Sequence, residues 1–363
     1  SYTSVKEVQV QSGGFSAEYG NLRSGLVNVV TKDPSADQYT AEVLARYRPP
    51  TAKHFGPDPD DPNSYWMRPF MEGNPENLTG PAFEGTEVWP EDVQQQYPDF
   101  RGFNALASER EDLTPRQAQE LFKFRHRKDV SIDQPDWVFD GTIGGPVPVV
   151  SESLGDLRFL ASYRQRDRQY VVPISEDGYS EYNGRLKLTS DLSSTMELTF
   201  QGMRARQEGQ NDEFPRTGPT RILRHDDRGE VRGFNGLHSY GPAEDQIFGT
   251  SALSESYINR SMASMELSHT ISENTFYDAK VQWYRTEYRT GPPLPQRDTT
   301  TVATFGDFEA TEAPLGYSFS SINSLTGMRM GGHHGEFRDT TNTTDWLASI
   351  DVTSQVNQSN EVK

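Results

Sequence analysis

The sequence predicts an all-β fold, a transmembrane antiparallel β-barrel, and three observations support this prediction. Apolar and polar residues alternate over segments of about ten residues, which is the period of strands with one apolar and one polar face. Short and long connections between these segments alternate along the chain, as tight turns and long loops do in outer-membrane barrels. No run approaches the roughly 18 to 20 apolar residues that a membrane helix needs.

The composition narrows the functional classes. The 363 residues carry a formal net charge of −18 and contain no cysteine. The negative charge argues against a nucleic-acid partner, because a surface that binds phosphates carries excess Lys and Arg. The missing cysteines exclude disulfides, thiolate metal sites and cysteine nucleophiles within these residues. Residues 1–10 lack the features of a signal peptide, so we expect an exported protein to begin after processing or inside a longer chain.

The predicted strands follow in order. Residues 5–10 and 26–31 are two strand-like runs joined by a Gly-rich connector. In residues 38–48, the apolar positions Tyr39, Ala41, Val43, Ala45 and Tyr47 are separated by mainly polar residues. Further alternating segments lie at residues 136–145, 157–164, 182–189, 196–201, 255–270, 275–289 and 343–356, and another strand begins near Glu361. About eight barrel strands are therefore predicted, with a ninth starting.

The connections are predicted in two classes. Long ones lie at residues 49–135, 167–179, 207–254 and 290–342, and short ones at 191–194, 272–274 and 357–360, with an intermediate one at 146–155. The proline density of residues 49–135 excludes a central strand. One helix is predicted in this segment, with Thr114 as N-cap, Pro115 at the first helical position and an end near Arg125.

A soluble β-sandwich or propeller would also alternate apolar and polar residues. The predicted strands, however, carry Arg, Lys, Glu and Asp in their middles, which suits a water-filled lumen. They also reach 10 to 15 residues, whereas strands of globular sheets have about 5 to 6. Aromatic residues gather near the strand ends, as in the girdles of membrane barrels. The membrane barrel is the better interpretation.

Residues 12–32 have the most specific sequence in the chain. A Gly-Gly-Phe-Ser-Ala-Glu-Tyr-Gly run leads into a Val-Asn-Val-Val-Thr-Lys strand. The residues that carry this pattern are Gly13, Gly14, Phe15, Glu18, Tyr19, Gly20, Gly25, Asn28, Thr31 and Lys32. The run resembles the C-terminal end of the plug domain of TonB-dependent outer-membrane receptors, and the chain looks most like those of the Bacteroidota.

The resemblance implies a fold and a location. Residues 1–37 would be the C-terminal part of a plug domain, and residues 38–363 the N-terminal part of a transmembrane β-barrel that has 22 strands when complete. The motif residues would anchor the plug to the barrel wall and are structural. With the plug on the periplasmic side, residues 38–48 run outward, so the loops 49–135, 207–254 and 290–342 are extracellular. The chain would lie in the outer membrane of a Gram-negative bacterium and lack the TonB box.

The resemblance also implies active import energised by the proton-motive force. The partners would be outer-membrane lipid, the TonB complex, a surface lipoprotein in some of these systems, and a small-molecule, glycan or peptide substrate. A second hypothesis is a surface-binding or scaffold barrel that holds partner lipoproteins without transport, which has no need of a TonB box. A third is a soluble secreted β-protein. The substrate cannot be read from the architecture, because importers of many substrates share it.

The sequence offers few chemical sites. Six aromatic residues of the first long loop are candidate extracellular substrate contacts: Tyr65, Trp66, Phe70, Trp89, Tyr97 and Phe100. The alternative is that they pack the loop against itself. Asp58, Asp60 and Asp61 could supply oxygen ligands to Ca²⁺ but lack the spacing of an EF-hand. No nucleophile motif is present, so we expect no catalytic site, no enzyme activity and no other cofactor or metal.

Overall fold

The computed structural model describes the larger part of the chain. The described residues are 1–11, 26–51, 56–58, 60–64, 67–85, 91–97, 99–126, 134–170, 177–210, 222, 224–225, 231–232, 255–291, 302–311, 339–357 and 360–362. Most of them are β-strand; the α-helices described lie in the connection between the third and fourth strands, and a 3-10 helix, Glu152–Leu154, lies between the fourth and fifth. The predicted predominance of antiparallel β-structure is therefore confirmed for this part of the protein.

Fifteen strands are present in the described residues. They are β1 Val5–Gln11, β2 Leu26–Thr31, β3 Thr40–Arg48, β4 Asp136–Pro146, β5 Arg158–Gln169, β6 Gly178–Ser193, β7 Met196–Gln210, β8 Arg224–His225, β9 Val231–Arg232, β10 Glu255–Ser272, β11 Thr275–Gly291, β12 Val302–Phe305, β13 Phe308–Thr311, β14 Asn342–Asn357 and β15 Asn360–Val362. Each strand predicted from alternation is found, and several are longer than predicted. The ladder of β6 with β5 and β7, for example, continues well beyond residues 182–189.

One large antiparallel sheet contains nine of these strands, in the order β15-β14-β11-β10-β7-β6-β5-β4-β3. The hairpins β1-β2, β8-β9 and β12-β13 form separate two-stranded sheets. Strands that follow one another in the large sheet are neighbours, so successive connections alternate between its two ends, and the three longest connections all lie at the same end. The turn end carries 147–157, 194–195 and 273–274, and the loop end carries 49–135, 170–177, 211–254 and 292–341.

Five helices lie in the connection between β3 and β4. They are α1 Arg68–Met71, α2 Pro81–Glu84, α3 Glu91–Gln96, α4 Gly102–Ser108 and α5 Pro115–Arg125. The prediction of α5 is confirmed, including its cap: the Thr114 backbone N–H donates to Gln117 Oε1 at 2.9 Å, and Gln117 N–H donates to Thr114 Oγ1 at 3.4 Å. The prediction of a single helix in this connection is wrong, because α1 to α4 are too short for a helical period to be visible.

Residues 67–85, 91–97 and 99–126 of this connection are here called the helical loop. Its helices pack closely enough that Gly102, at φ 82°, has no space for a side chain. A Cβ there would lie 2.3 Å from the backbone oxygen of Phe83. Among the described residues, the largest cluster of buried apolar side chains lies in this loop. A smaller cluster, of Tyr170, Tyr179, Ile222 and Ile258, includes residues of the large sheet.

Candidate functional site

One face of the large sheet is apolar and exposed. A single row of cross-strand partners runs over eight strands: Ala41, Ile143, Ala161, Leu186, Gly202, Ala263, Trp283 and Trp346. Neighbouring rows add large side chains, and Val43, Ile350 and Trp346 are 65%, 72% and 73% exposed. We call this surface the apolar face. Soluble monomers rarely expose contiguous apolar patches of more than a few hundred Å², so this face is suited to an apolar environment.

The opposite surface, here called the polar face, carries charged and polar side chains in the middle of the strands. The row that alternates with the one above contains Glu42, Thr142, Ser162, Arg185, Met203, Met262, Tyr284 and Asp345. Nearer the turn end, Lys280 lies 3.6 Å from Glu266 on the adjacent strand. Charges at these positions require water or a polar partner, so the two faces of the sheet suit different solvents.

The N-terminal segment lies on the polar face. Asp140 of β4 has no exposed surface, and its carboxylate accepts the Tyr2 backbone N–H and the Thr3 hydroxyl, each at 2.7 Å. The hydroxyls of Thr3 and Thr142 are 2.6 Å apart, and the guanidinium of Arg164 lies 3.9 Å above the Tyr2 ring. A buried carboxylate in the middle of a strand is thus satisfied by a segment that precedes β1.

Ion pairs attach the other end of the β1-β2 hairpin. Lys187 of β6 donates to Asp33 at 2.6 Å, and Lys6 lies 3.6 Å from the same carboxylate. Burial opposes the ionisation of Asp33, but the hydrogen bond from Lys187 and both lysine charges outweigh it, so the pKa of Asp33 is below its ordinary value. Lys32 donates to Glu42 of β3 at 2.7 Å. We call β1-β2, with residues 1–4 and 32–33, the N-terminal hairpin.

The N-terminal hairpin is joined to the large sheet through side chains. Its two strands pair with each other, with Val8 opposite Val29, and form their own two-stranded sheet. A cleft of about 400 Å³ lies between the hairpin and the polar face, lined by charged side chains of both signs that include Lys6, Lys32, Asp33 and Glu42. In the described residues, the hairpin therefore contacts the large sheet through polar side-chain interactions and not through a strand ladder.

The helical loop has its own aromatic core. The Phe70 ring centroid lies 5.0 Å from those of Tyr97 and Phe100 and 4.6 Å from that of Phe122. Edge-to-face geometry dominates these contacts, as aromatic quadrupoles favour. His126 stacks on Phe122 at 3.9 Å, and its Nδ1–H donates to the Phe122 carbonyl at 2.7 Å. Complete burial lowers the pKa of His126 to about 4, against the opposing effect of that hydrogen bond.

The helical loop contacts the hairpin β12-β13, which belongs to the connection between β11 and β14, and six strands of the sheet lie between these two connections. The Phe124 and Phe305 ring centroids are 5.6 Å apart, and Leu113, Leu121 and Ala310 are buried together. The guanidiniums of Arg110 and Arg125 lie 5.0 and 5.8 Å from the Phe308 ring centroid. We call this contact the loop clasp. It joins two long connections at the loop end of the sheet.

Three of the predicted substrate contacts are placed by the structure. Phe70, Tyr97 and Phe100 are 0%, 2% and 0% exposed, so they pack the loop against itself, as the alternative interpretation predicts, and present no surface to a substrate. Tyr65, Trp66 and Trp89 lie outside the described residues.

The plug-like motif is described only at its end. Asn28 and Thr31 lie in β2 and Lys32 follows it, while Gly13, Gly14, Phe15, Glu18, Tyr19, Gly20 and Gly25 lie outside the described residues. Lys32 makes the ion pair with Glu42 described above. The predicted role of the motif, anchoring a plug to a barrel wall, stays a prediction.

The acidic residues of the first connection stay a predicted Ca²⁺ site. Asp61 caps its own turn, because its Oδ1 accepts the Asn63 backbone N–H at 2.7 Å. The part of the chain that the structure describes contains no group of three His, Cys, Asp or Glu side chains that converge as metal ligands.

Sequence reasoning missed Asp140 and the arginines around it. A carboxylate in the middle of the apolar run WVFDGTIGG was a visible signal, since a charge there needs a partner. The partner itself, a segment more than a hundred residues earlier in the chain, was not visible.

Within the described residues, no helix combines the length and the apolar composition required to cross a membrane. No family model matches the sequence, and no curated protein matches it significantly. Function is therefore inferred from the residues and structure of this chain alone.

Proposed function

We propose that this chain is part of an outer-membrane, TonB-dependent importer, comprising the end of the plug domain and the first strands of a β-barrel. The apolar face contacts lipid and the polar face lines the aqueous lumen. The N-terminal hairpin is the part of the plug that contacts the barrel wall, and the long connections are extracellular loops. The substrate is moved inward at the expense of the proton-motive force.

The observation that carries the proposal is the opposite chemistry of the two faces over eight consecutive strands. A soluble sheet of this size would cover its apolar face with a second layer, whereas here Val43, Trp346 and Ile350 are exposed. In a bilayer the same arrangement is favourable, because backbone groups are satisfied by the ladder and apolar side chains meet lipid. The grouping of all long connections at one end of the sheet agrees with the sidedness of such barrels.

The attachment of the N-terminal hairpin supports the plug assignment. A plug must occlude the lumen at rest and move when TonB acts on it, so it needs contacts that hold without being permanent. Ion pairs such as Asp33 with Lys187 and Lys32 with Glu42 meet that need. Substrate that binds a plug state with altered contacts would shift the population toward it.

A second function, a surface-binding scaffold barrel, is favoured by the helical loop. A folded unit with its own aromatic core offers a preformed surface to a lipoprotein partner, which a disordered loop does not. This function shares the membrane barrel with the importer and differs in having no need of the TonB complex.

Two neighbouring residues on β11 test the barrel assignment with matched substitutions in the full-length protein. Val281 lies on the apolar face and Gln282 on the polar face. A lysine on the lipid face near the midplane costs about 2–4 kcal/mol, while a lysine in the lumen meets water. We expect Val281→Lys to reduce folded protein in isolated outer membranes, measured as heat-modifiable migration, and Gln282→Lys to leave it unchanged.

The opposite result would overturn the proposal. If Val281→Lys folds as well as the parent and the protein is recovered without detergent, the apolar face does not contact lipid. For the importer in particular, deletion of the host's TonB protein must abolish energised uptake of the substrate. Surface binding at the parental level after this deletion, with no energised uptake in the parent strain, would favour the scaffold.

A further inference from the structure

The polar face is rich in arginine toward the loop end, although the chain as a whole carries a net charge of −18. The three rows of cross-strand partners above the row of Arg185 contain six arginines and three carboxylates. They are Arg46, Arg48, Arg164, Arg166, Arg168 and Arg260 with Asp136, Asp140 and Glu181. This excess of positive charge stands on the wall assigned to the lumen.

The carboxylates in these rows accept hydrogen bonds from groups other than the arginines. Asp140 accepts from the Tyr2 backbone and the Thr3 hydroxyl, and Asp136 accepts the Gln169 backbone N–H at 2.8 Å. The Tyr179 hydroxyl donates to Glu181 at 2.5 Å. Hydrogen-bonding capacity that would otherwise serve the guanidiniums is thus taken up by backbone and hydroxyl groups.

The arginines consequently have distant acidic neighbours. Arg164 lies 3.6 Å from Asp140, Arg168 lies 3.5 Å from Asp136, and Arg166 lies 3.8 Å from Glu181. Charge-assisted hydrogen bonds between guanidinium and carboxylate are about 2.7–2.9 Å long. The charges are therefore partly compensated, but the directed N–H groups of Arg164 and Arg168 are not matched by close acceptors on these carboxylates.

Burial makes this arrangement costly unless a further acceptor is present. The side chains of Arg164 and Arg168 are 11% and 16% exposed, and among the described residues their buried Nε atoms have no hydrogen-bond partner. Arg185, one row toward the turn end and opposite Ser162, contacts the Met203 sulfur at 3.9 Å and has no acidic partner in the described part of the chain. Buried donors without acceptors lower stability.

We propose that Arg164, Arg168 and Arg185, with Arg166 between Arg164 and Arg168, form an anion-binding site, here called the arginine ladder. Its ligand class is a substrate that carries carboxylate or phosphate groups. The planar guanidinium matches both groups through paired N–H donors. Arg185 and Arg164 are diagonal neighbours on adjacent strands, with backbone positions about 7–8 Å apart, and Arg166 and Arg168 continue the row of arginines along β5. This inference rests on the proposed import function, since it names the class of substrate that the lumen wall recognises.

The test uses the purified full-length protein in detergent at low ionic strength. Citrate and inorganic phosphate are titrated separately by isothermal calorimetry, with glucose as a neutral solute. The variants are Arg185→Gln and the double variant Arg164→Gln with Arg185→Gln. Arg204→Gln is the matched control, because Arg204 lies on the opposite face of β7 and donates to Ser261 at 2.9 Å. Heat-modifiable migration shows whether each variant is folded.

We expect saturable binding of at least one of the two anions and none of glucose, and the stronger anion identifies the group recognised. Loss of one charge-assisted partner should weaken affinity about tenfold, so Arg185→Gln should bind at least that much more weakly. Arg204→Gln should bind as the parent does. If the double variant does not fold, the anion affinity of Arg185→Gln alone tests the site. This variant is expected to fold, because Arg185 has no acidic partner in the described part of the chain.

Absence of saturable binding of both anions, or equal weakening in Arg204→Gln, would overturn the arginine ladder. Uptake measured in parallel separates the two proposals. Anion binding without TonB-dependent uptake would contradict the importer and leave the site standing. TonB-dependent uptake by a protein that binds neither anion would contradict the site and leave the importer standing.

Discussion

The helical loop and the large sheet handle their apolar residues in opposite ways. Phe70 in the loop is 0% exposed within a cluster of aromatic rings, whereas Trp346 on the apolar face is 73% exposed. Both regions contain large apolar side chains, so amino-acid composition alone does not distinguish the helical loop from the sheet. The loop buries its apolar side chains within its own core, whereas the sheet leaves large apolar side chains exposed. Under the proposed function, the exposed face of the sheet contacts lipid and the loop lies in water.

The largest loss of stability is expected when an aromatic ring is removed from the core of the helical loop. Phe70→Ala removes a ring that contacts Tyr97, Phe100 and Phe122, and buried Phe→Ala changes cost about 3–5 kcal/mol. We expect protease to cut within residues 67–126 much faster, while the sheet stays folded by heat-modifiable migration. Tyr47→Ala, at an exposed strand position, is the control and should leave loop cutting unchanged. Equal cutting of Phe70→Ala and the parent would show that the loop core is not as described.

The second-largest effect is a pH dependence of the stability of the helical loop. His126 is buried neutral with its pKa lowered to about 4 from 6.5, so between these values the unfolded loop binds a proton that the folded loop does not. The stability is fully present above about pH 6.5 and is lost as pH falls toward 4, by on the order of 3 kcal/mol at about 1.4 kcal/mol per unit. Protease protection of the helical loop, measured from pH 7.5 to 4.5, should decline accordingly.

The control for the pH effect is His126→Gln, which removes the titrating group. The slope of loop protection against pH should flatten in this variant, whatever its absolute stability. A parental profile that is flat over the same range, or a variant with the parental slope, would contradict the burial of a neutral His126.

A smaller loss of stability is expected when the Thr114 cap of α5 is removed. Thr114→Ala removes the oxygen that accepts the Gln117 N–H and should destabilise α5 by about 1 kcal/mol. Thr114→Ser keeps a hydroxyl and should be close to the parent. Hydrogen exchange of the amides in the first turn of α5 measures both, and similar exchange in the alanine and serine variants would show that the capping box contributes nothing.

The smallest effect is expected at the loop clasp. Phe308→Leu keeps an apolar side chain but removes the ring over which Arg110 lies, and such cation–π contacts contribute about 0.5–1 kcal/mol at exposed sites. A double-mutant cycle with Arg110→Gln, read from hydrogen exchange in β12 and β13, should give a coupling energy of that size. A coupling energy of zero would mean that the contact of Arg110 with the Phe308 ring contributes nothing to the stability of the loop clasp.

The sheet was predictable because its signal is local. Period-two alternation can be recognised within a single strand, as in residues 39–47. The start of α5 can likewise be predicted from two adjacent residues, Thr114 and Pro115. Helices of four residues, such as α1 and α2, contain barely one turn and leave no periodic trace.

The contacts of the candidate site were less accessible, because they depend on long-range pairing. That Arg185 stands beside Arg164 requires the register of β5 with β6, and that Asp140 receives Thr3 requires the position of the N-terminal hairpin. The burial of Phe70 and Tyr97 depends on residues about 30 apart meeting in one cluster. Aromatic residues in a long loop predict equally a binding surface and a core, and only the packing decides between them.

Site-directed spin labelling along β11 measures directly whether the two faces of the sheet meet different solvents. The 363 residues contain no cysteine, so single cysteines at Ala279, Lys280, Val281 and Gln282 add no competing label within them. In the full-length protein reconstituted in bilayers, we predict high oxygen and low nickel-chelate accessibility at Ala279 and Val281, and the reverse at Lys280 and Gln282. Equal access of the water-soluble nickel chelate at all four positions would contradict a lipid-facing apolar surface and with it the barrel.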